Sequence, residues 1–242
     1  MQAMIFAAGL GTRLKPLTDT MPKALVPVGG KPLLWHVITR LKQAGATRIV
    51  VNVHHLAKQI IDYLSVNHNF GLELHISDES ENLLDTGGGI RKARHMLDPS
   101  QPVLIHNVDI LSNANLASLY HAATTSQADA LLLVSPRQTK RYLLFSHDRR
   151  LQGWTNVESG EVRSPYPTLD LSQLQRLAFS GIHVIAPRML TLMDDMPQRF
   201  GIVDFYLKHC HSSSILAFEQ PGLKLLDVGK LNTLAEAEQF LN

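Results

Sequence analysis

The stretch that decides the fold is Met4-Ile5-Phe6-Ala7-Ala8-Gly9-Leu10-Gly11-Thr12-Arg13, near the start of the chain. Its first half is an apolar run, which predicts a buried strand. Its second half holds two glycines, which let backbone N–H groups approach a ligand closely. Arg13 and, further on, Lys23 add positive charge to the same loop. The stretch therefore predicts a cradle for a nucleoside triphosphate at the end of the first strand.

Two common phosphate-binding motifs are excluded by the residues that follow the glycines. A Walker loop closes with Gly-Lys-Ser or Gly-Lys-Thr, and a dinucleotide-binding fingerprint needs a third glycine. In this chain Arg13 is followed by Leu14, so the loop fits neither motif.

Length and composition indicate a single domain with a sizeable core. The chain has 242 residues, 45% of them hydrophobic, and a formal net charge of +2. The charge is too balanced for a dedicated nucleic-acid binder, so no nucleic-acid partner is expected. Cys210 is the single cysteine, which excludes an intramolecular disulfide and a thiolate metal cluster.

The hydropathy pattern predicts no membrane partner. No apolar run reaches the ~20 residues that a membrane-spanning helix needs. The first residues also lack a basic segment followed by a long apolar one, which is typical of a signal peptide. We therefore expect a cytoplasmic protein. The sequence does not indicate its oligomeric state.

Apolar periodicity predicts alternating strands and helices in the first half of the chain. The strands fall at about 4–8, 48–53, 72–76 and 103–106, and the helices at 33–41, 56–64 and 86–97. This alternation favours an α/β fold of three layers, with a mainly parallel, Rossmann-like sheet between helices. In such sheets ligands bind beyond the carboxyl ends of the strands. The loop from Gly9 to Lys23 and the segment Asn107-Val108-Asp109 both fall there.

From about residue 128 the predicted elements are shorter and more often strands. Strands are predicted at 130–134, 142–145, 151–154, 178–185, 215–218 and 224–226, with a loop at 159–172. Helices are predicted at 189–193 and 202–209, and a closing helix at 231–240. These segments predict antiparallel or mixed pairing, so the sheet as a whole is expected to be mixed.

Five sequence motifs together resemble one enzyme family. The opening stretch with Pro22-Lys23-Ala24-Leu25-Val26-Pro27-Val28 resembles the signature of sugar-1-phosphate nucleotidylyltransferases. The further motifs follow in order: Asp85-Thr86-Gly87-Gly88-Gly89-Ile90, Asn107-Val108-Asp109, Phe179-Ser180-Gly181-Ile182 and Asp227-Val228-Gly229. In detail the chain looks most like N-acetylmuramate-1-phosphate uridylyltransferases and compact members similar to mannose-1-phosphate guanylyltransferases.

The resemblance implies a fold and a reaction. The fold is that of the nucleotide-diphospho-sugar transferases, one domain over 1–242 with a nucleotide-binding part at about 1–127 and a small, β-rich sugar-binding part at about 128–242. In the reaction, a sugar 1-phosphate attacks the α-phosphate of a nucleoside triphosphate, preferably UTP, and pyrophosphate leaves. Because few covalent roles fall to the protein in such a transfer, positioning and charge neutralisation are expected to dominate.

The resemblance also assigns catalytic and metal-binding residues. Arg13, Lys23 and Asp109 are the expected catalytic residues, with Arg13 at the departing pyrophosphate and Lys23 at the α-phosphate or the sugar phosphate. Asp109 and Asp227 both follow apolar, strand-like runs and are expected to hold Mg²⁺ through carboxylate oxygens.

Nucleotide and sugar contacts are assigned in the same way. The residues expected to bind the nucleotide are Ala8, Gly9, Gly11, Thr12, Arg13, Asp85, Gly87 and Gly88. The sugar is expected at Gly181, with Asn156 and Glu158 as weaker candidates.

Two departures from the family pattern leave alternatives open. Val108 stands where relatives usually have glycine, and Lys230 stands where threonine is more common. These departures leave open a homologue that binds nucleotide sugars for regulation without catalysis. The resemblance itself leaves open guanylyl transfer to mannose 1-phosphate, and the opening motif is shared with cytidylyl transfer to phosphocholine. The spacing of the twelve histidines does not fit a metal site.

Overall fold

A computed structural model describes residues 1–241, and its elements follow the predicted order. The strands are β1 (Gln2–Phe6), β2 (Pro27–Val28), β3 (Lys31–Pro32), β4 (Arg48–Val53), β5 (Glu73–Asp78), β6 (Val103–Asn107), β7 (Ile110–Ser112), β8 (Ala130–Ser135), β9 (Arg141–Phe145), β10 (Leu151–Asn156), β11 (Glu161–Arg163), β12 (Gln175–Ile185), β13 (Ile215–Glu219) and β14 (Leu225–Asp227). The helices are α1 (Leu33–Gln43), α2 (Ala57–Val66), α3 (Asp85–Ala93), α4 (Leu116–Ser126), α5 (Pro187–Leu192), α6 (Ile202–His209) and α7 (Asn232–Leu241).

The first half of the chain forms the parallel part of the sheet. β1 lies between β4 and β6, and β4 pairs with β5, all in parallel. Phe6, the last residue of β1, is in register with Asn52 on one side and with Asn107 on the other. Three strand ends and the loops that follow them therefore meet at one edge, where an open parallel sheet binds its ligands.

The second half of the chain extends the same sheet with antiparallel strands. β12 pairs with β6 through its second half, with β9 through its first half and with β8 along most of its length. The pairing of β12 with β8 is interrupted between Phe179 and His183, and Gly181 lies there with a φ of +76°. β9, β10 and β11 continue the sheet outward as an antiparallel lobe.

Two apolar clusters cover the two faces of the sheet. One contains Ile5, Val51 and Ile38 of α1, and the other contains Met4, Val50 and Phe205 of α6. Neighbouring residues of one strand thus point into different clusters, as the two-residue period of a strand requires. Both clusters draw on residues before and after 128.

The structure confirms the predicted mixed α/β sheet between helices and refines its boundaries. β4 and α6 begin and end at the predicted residues. α4 was not predicted, and the loop predicted at 159–172 contains the short strand β11. Among residues 1–241, no helix has the length and hydrophobicity needed to cross a bilayer.

Candidate active site

Of the two glycine positions in the opening loop, only one requires glycine for the backbone to fold as it does. Gly11 has a φ of +66°, and a Cβ there would lie 2.8 Å from the Thr18 side chain, so both its backbone conformation and its surroundings require glycine. Gly9 has an ordinary φ, and no atom lies within 4 Å of where its Cβ would be. Gly9 therefore presents open backbone, while Gly11 makes the turn.

The loop between these glycines and Leu14 carries unpaired N–H groups. Leu14 donates to the carbonyl oxygen of Gly11 at 2.8 Å, but the N–H groups of residues 9–13 have no acceptor within residues 1–241. Successive unpaired N–H groups in a tight turn form an anion-binding concavity. Arg13 is exposed beside them, so the loop is suited to phosphate.

The start of the loop is held by two buried polar residues that the sequence analysis did not identify. The amide oxygen of Asn52 accepts hydrogen bonds from the N–H groups of Ala7 and Ala8, at 2.7 and 3.3 Å. Its amide nitrogen donates to Glu79 at 2.7 Å, and the other carboxylate oxygen of Glu79 accepts from the N–H of Leu84 at 3.0 Å. Asn52 and Glu79 thus fix the opening loop relative to the segment that precedes α3.

Lys23 and Asp109 form an ion pair at the mouth of the site. The Lys23 ammonium contacts the Asp109 carboxylate, and the two side chains are only 11% and 16% exposed. Lys23 begins a short helical turn after Pro22, and Asp109 follows β6, so the pair joins the opening loop to the end of that strand. A positive and a negative group of the predicted catalytic set are therefore in direct contact.

The second predicted carboxylate lies beside the first through strand pairing. Asp227 is opposite Ile110, the residue after Asp109, and the N–H of Val228 donates to the carbonyl oxygen of Asp109 at 2.8 Å. A Cβ on Gly229 would lie 2.6 Å from both an Asp227 carboxylate oxygen and an Arg13 guanidinium nitrogen. The absence of a side chain at Gly229 therefore lets Arg13 and Asp227 approach the same place.

Residues 85–88 divide into a part at the cleft and a part beneath it. Asp85 and Thr86 line the central cleft, the cavity that also contains Gly9, Lys23 and Asp109. Asp85 has a φ of +64°. Gly87 and Gly88 are buried, and both N–H groups donate to the carbonyl oxygen of Phe200, at 2.9 and 3.2 Å. A Cβ on Gly87 would lie 2.2 Å from the Phe200 ring. These glycines let α3 pack against Phe200, and their predicted contact with a base remains a prediction.

The predicted sugar residues lie in two different places. Gly181 is against Asn107, since a Cβ on Gly181 would lie 2.5 Å from the Asn107 amide nitrogen. Asn156 and Glu158 lie at the far end of β10, where Glu158 pairs with Lys140 at 2.7 Å and Asn156 accepts from the Glu158 N–H. Gly181 is thus beside the central cleft, whereas Asn156 and Glu158 do not line it.

The central cleft measures about 320 Å³ and joins most of these features. Its lining residues come from the opening loop, the ends of β4 and β6, the start of α3 and the segment before α6: Phe6, Ala7, Ala8, Gly9, Lys23, Asn52, Glu79, Leu83, Asp85, Thr86, Asn107, Val108, Asp109 and Arg199. Val108 also packs into the core, is 4% exposed and does not have a positive φ. The position therefore accepts valine without backbone strain.

A buried polar cluster lies under the site and does not open into it. His106 of β6 and His183 of β12 are each 1% exposed, and both nitrogens of His183 lack a hydrogen-bond partner, as does the Tyr206 hydroxyl. Burial lowers the pKa of His106 to about 4 and that of His183 to about 3. Both imidazoles are therefore neutral at physiological pH. Within residues 1–241, no group of three or more His, Cys, Asp or Glu residues is arranged to hold a metal ion.

With this geometry established, comparison with known proteins gives the family. A family model described as nucleotidyl transferase matches residues 2–242. The N-acetylmuramate alpha-1-phosphate uridylyltransferase of Caulobacter vibrioides is 34% identical over 201 residues, which cover 81% of this chain and 79% of that protein. The chain therefore belongs to the nucleotidyl transferase family, among its sugar-1-phosphate members.

Two further relatives match over different shares of their length. The N-acetylmuramate alpha-1-phosphate uridylyltransferase of Neisseria meningitidis serogroup B is 44% identical over 126 residues, 52% of this chain and 54% of that protein. The mannose-1-phosphate guanyltransferase of Pichia angusta is 27% identical over 233 residues, 95% of this chain and 61% of that protein. The chain thus spans a little over half the length of each of these two relatives.

Solved structures give the same fold. The crystal structure of HddC from Yersinia pseudotuberculosis, complexed with GMP-PN, superposes with a TM-score of 0.79. The match covers 100% of this chain and 99% of that chain at 20% sequence identity. At this identity the likeness concerns the architecture alone.

Proposed function

We propose that the chain transfers a nucleotidyl group from a nucleoside triphosphate to a sugar 1-phosphate, forming a nucleoside diphosphate sugar and pyrophosphate. One observation supports this most directly: the unpaired N–H groups of residues 9–13 and the Lys23–Asp109 pair meet at the ends of β1 and β6. A phosphate-binding loop beside one cation and one carboxylate is what an in-line displacement at phosphorus requires.

In this proposal the opening loop and Lys23 bind different phosphates of the nucleotide. The loop at Gly9 to Arg13 binds the β- and γ-phosphates, which leave as pyrophosphate. Lys23, at the end of the same loop, neutralises the α-phosphate as the sugar phosphate oxygen attacks it. An ammonium is suited to this because it is a compact charge on a flexible stem and can move from Asp109 to a phosphate.

Asp109 and Asp227 are the residues that would hold Mg²⁺. Their chemistry fits the ion, because two carboxylates on adjacent strand ends leave the remaining positions to phosphate oxygens and water, which is how proteins usually bind magnesium. Because Gly229 has no side chain, the Arg13 guanidinium can lie close to Asp227, which provides a cation for phosphate beside the carboxylate. When bound, the ion would supply positive charge to the phosphates during displacement.

UTP is the proposed nucleotide and GTP the alternative. The relatives from Caulobacter and Neisseria are named as uridylyltransferases, which supports UTP, while the Pichia relative is named as a guanyltransferase. In the cleft, Asn52 already accepts from the N–H groups of Ala7 and Ala8. The base would therefore be read by the carbonyl oxygens of the loop and by Gly9, opposite Leu83 and Thr86.

The acceptor is proposed to enter from the side of Gly181 and Asn107. Residues from about 128 onward then provide the sugar-binding part and residues 1–127 most of the nucleotide-binding part. Asn156 is the last residue of β10 and Glu158 follows it, outside the central cleft, so they would act only on a long acceptor.

The test is a pyrophosphate-release assay with purified protein and Mg²⁺. Each of UTP, GTP, CTP and dTTP is combined with each of four acceptors: N-acetylmuramate 1-phosphate, mannose 1-phosphate, glucose 1-phosphate and phosphocholine. We expect release with UTP and a sugar 1-phosphate. Asp109→Asn serves as the matched inactive variant. Absence of release with every pair, alongside tight nucleotide binding by calorimetry, would contradict the proposal and favour a regulatory homologue.

A further inference from the structure

A second cleft, the lobe cleft, lies between the antiparallel lobe and the start of α6. It measures about 350 Å³. Its charged and polar lining includes Arg137, Arg141, Tyr142, Trp154, Arg163 and Asp204. Three arginines therefore share one cavity with a single carboxylate and three aromatic rings, those of Tyr142, Trp154 and Phe179.

The charges of the lobe cleft do not cancel. Arg163 pairs with Asp204 and also lies 5.5 Å from the centre of the Trp154 ring. Arg137 and Arg141 have no carboxylate within 4.0 Å among residues 1–241, and Arg137 donates only to the carbonyl oxygen of Phe179, at 3.2 Å. Two guanidinium groups are thus left for a ligand.

The excess positive charge belongs to the lobe cleft and does not extend to the neighbouring Lys140. Lys140 lies between Arg137 and Arg141 in sequence, but it is neutralised by Glu158 and does not line the cleft. The Tyr142 hydroxyl accepts a hydrogen bond from the Thr139 N–H at 2.9 Å, so its own proton is available for donation. The lobe cleft therefore presents two cations and a hydroxyl donor, which suits a carboxylate.

The lobe cleft lies next to the central cleft at two points. Phe179 lines the lobe cleft, and Gly181, two residues along β12, is against Asn107 of the central cleft. At a rise of about 3.3 Å per residue, the two positions are about 7 Å apart. On the other side, the hydroxyl oxygen of Thr86 accepts from the N–H of Ile202, and the next residue, Val203, lines the lobe cleft.

We propose that Arg137 and Arg141 form a subsite for a second anionic group on the acceptor, so that the site selects a sugar 1-phosphate that carries a carboxylate. The inference rests on the proposed function and adds the substrate class. The sugar phosphate lies at Asn107 and Lys23, and the carboxylate lies in the lobe cleft. The lactyl ether of N-acetylmuramate 1-phosphate supplies such a carboxylate, and N-acetylglucosamine 1-phosphate is the same sugar without it.

The experiment compares these two acceptors on wild-type protein and three variants. Arg137→Gln and Arg141→Gln remove the proposed charges, and Arg176→Gln is the matched control, because this exposed arginine of β12 points to the opposite face from Leu177 and Phe179. Dissociation constants are measured by calorimetry, and kcat/KM by pyrophosphate release with Mg²⁺ and UTP. Arg141→Lys tests whether charge alone restores selection.

We expect the two Gln variants to lose roughly 10- to 100-fold more affinity and kcat/KM for the acidic acceptor than for the neutral one, the effect of one charged hydrogen bond. Arg176→Gln should not change the ratio. Equal losses on both acceptors, no loss, or no measurable binding of either acceptor by the wild type would overturn the inference. Selective binding without turnover by wild-type protein would keep the subsite and reject the proposed transferase activity, so the two failures are distinguishable.

Discussion

The ammonium of Lys23 contacts the carboxylate of Asp109 although the two residues lie on different loops, one after β1 and one after β6. The contact holds the proposed phosphate-binding cation and the proposed metal-binding carboxylate together. Removing either group therefore affects both stability and chemistry, and the two effects are separable.

For the Lys23–Asp109 pair, we expect Asp109→Asn to abolish turnover and to lower the free energy of unfolding by about 2 to 4 kcal/mol, because a largely buried ammonium loses its partner. Lys23→Met combined with Asp109→Asn should regain most of the stability and none of the activity. Urea unfolding and pyrophosphate release measure the two effects. Turnover by the double variant at the wild-type rate would remove both residues from the reaction.

For the buried amide at Asn52, we expect Asn52→Leu to lower the free energy of unfolding by about 1 to 3 kcal/mol, because Glu79 and the N–H of Ala7 lose buried partners. The KM for nucleotide should rise, since the opening loop is no longer held. Glu79→Gln is the matched variant, because a glutamine oxygen still accepts one of the two hydrogen bonds, so it should cost less. A normal KM in Asn52→Leu would show that the loop is positioned without this amide.

For the glycines, we expect opposite outcomes at Gly9 and Gly87. Gly87→Ala should destabilise the protein by about 1 to 3 kcal/mol, since its Cβ would overlap the Phe200 ring. Adding Phe200→Leu should recover part of that loss, as a double-mutant cycle measures. Gly9→Ala has free space, so it should keep the wild-type unfolding midpoint and weaken nucleotide binding in calorimetry. Loss of stability in Gly9→Ala would contradict this assignment.

For the buried histidines, we expect stability to fall as the pH drops below 6.5. The unfolded chain takes up protons at both imidazoles near pH 6.5, whereas burial keeps the folded pKa of His106 near 4 and that of His183 near 3. Above pH 6.5 both imidazoles are neutral in the folded and the unfolded chain, so the free energy of unfolding has its full value. At pH 5 each histidine should lower the free energy of unfolding by about 2 kcal/mol.

Urea unfolding at pH 7.5 and pH 5 checks the histidine prediction in wild type and in His183→Phe. The phenylalanine keeps the ring between Phe179 and Tyr206, so the variant should fold and lose about half of the pH dependence. His147→Gln, at an exposed position, is the control and should behave as wild type. An unchanged pH dependence in His183→Phe would contradict the assignment.

The sequence predicted the layered sheet because its parallel strands are short apolar runs separated by amphipathic helices, a pattern that local residues determine. α4 escaped prediction because its sequence, Leu116 to Ser126, is rich in alanine and threonine and has a weak apolar face. β11 escaped because it is exposed throughout and lies on an edge, where no apolar alternation is required.

For the site, the sequence predicted residues whose chemistry is evident by type, such as Lys23 and Asp109, and the structure brings these two together. Asn52 and Glu79 were missed because a polar residue at a strand end has no local signal that it will be buried. The nucleotide contact predicted for Gly87 and Gly88 stays a prediction, whereas their packing against Phe200 and Gln198 was missed because a sequence does not show which atoms lie opposite a missing Cβ. Arg137 and Arg141 were missed because their cleft depends on the pairing of β8, β9 and β12.

The hydrogen bond from Val228 to the carbonyl oxygen of Asp109 has a consequence for synthesis on the ribosome. The strand that positions Asp109 is translated early, but its partner strand, β14, is translated near the end of residues 1–241. Contacts between such distant segments form late, because a long loop must close first. The nascent chain can therefore form the parallel strands and the opening loop well before it has a complete pair of carboxylates, and it acquires that pair only when residues 225–229 have emerged.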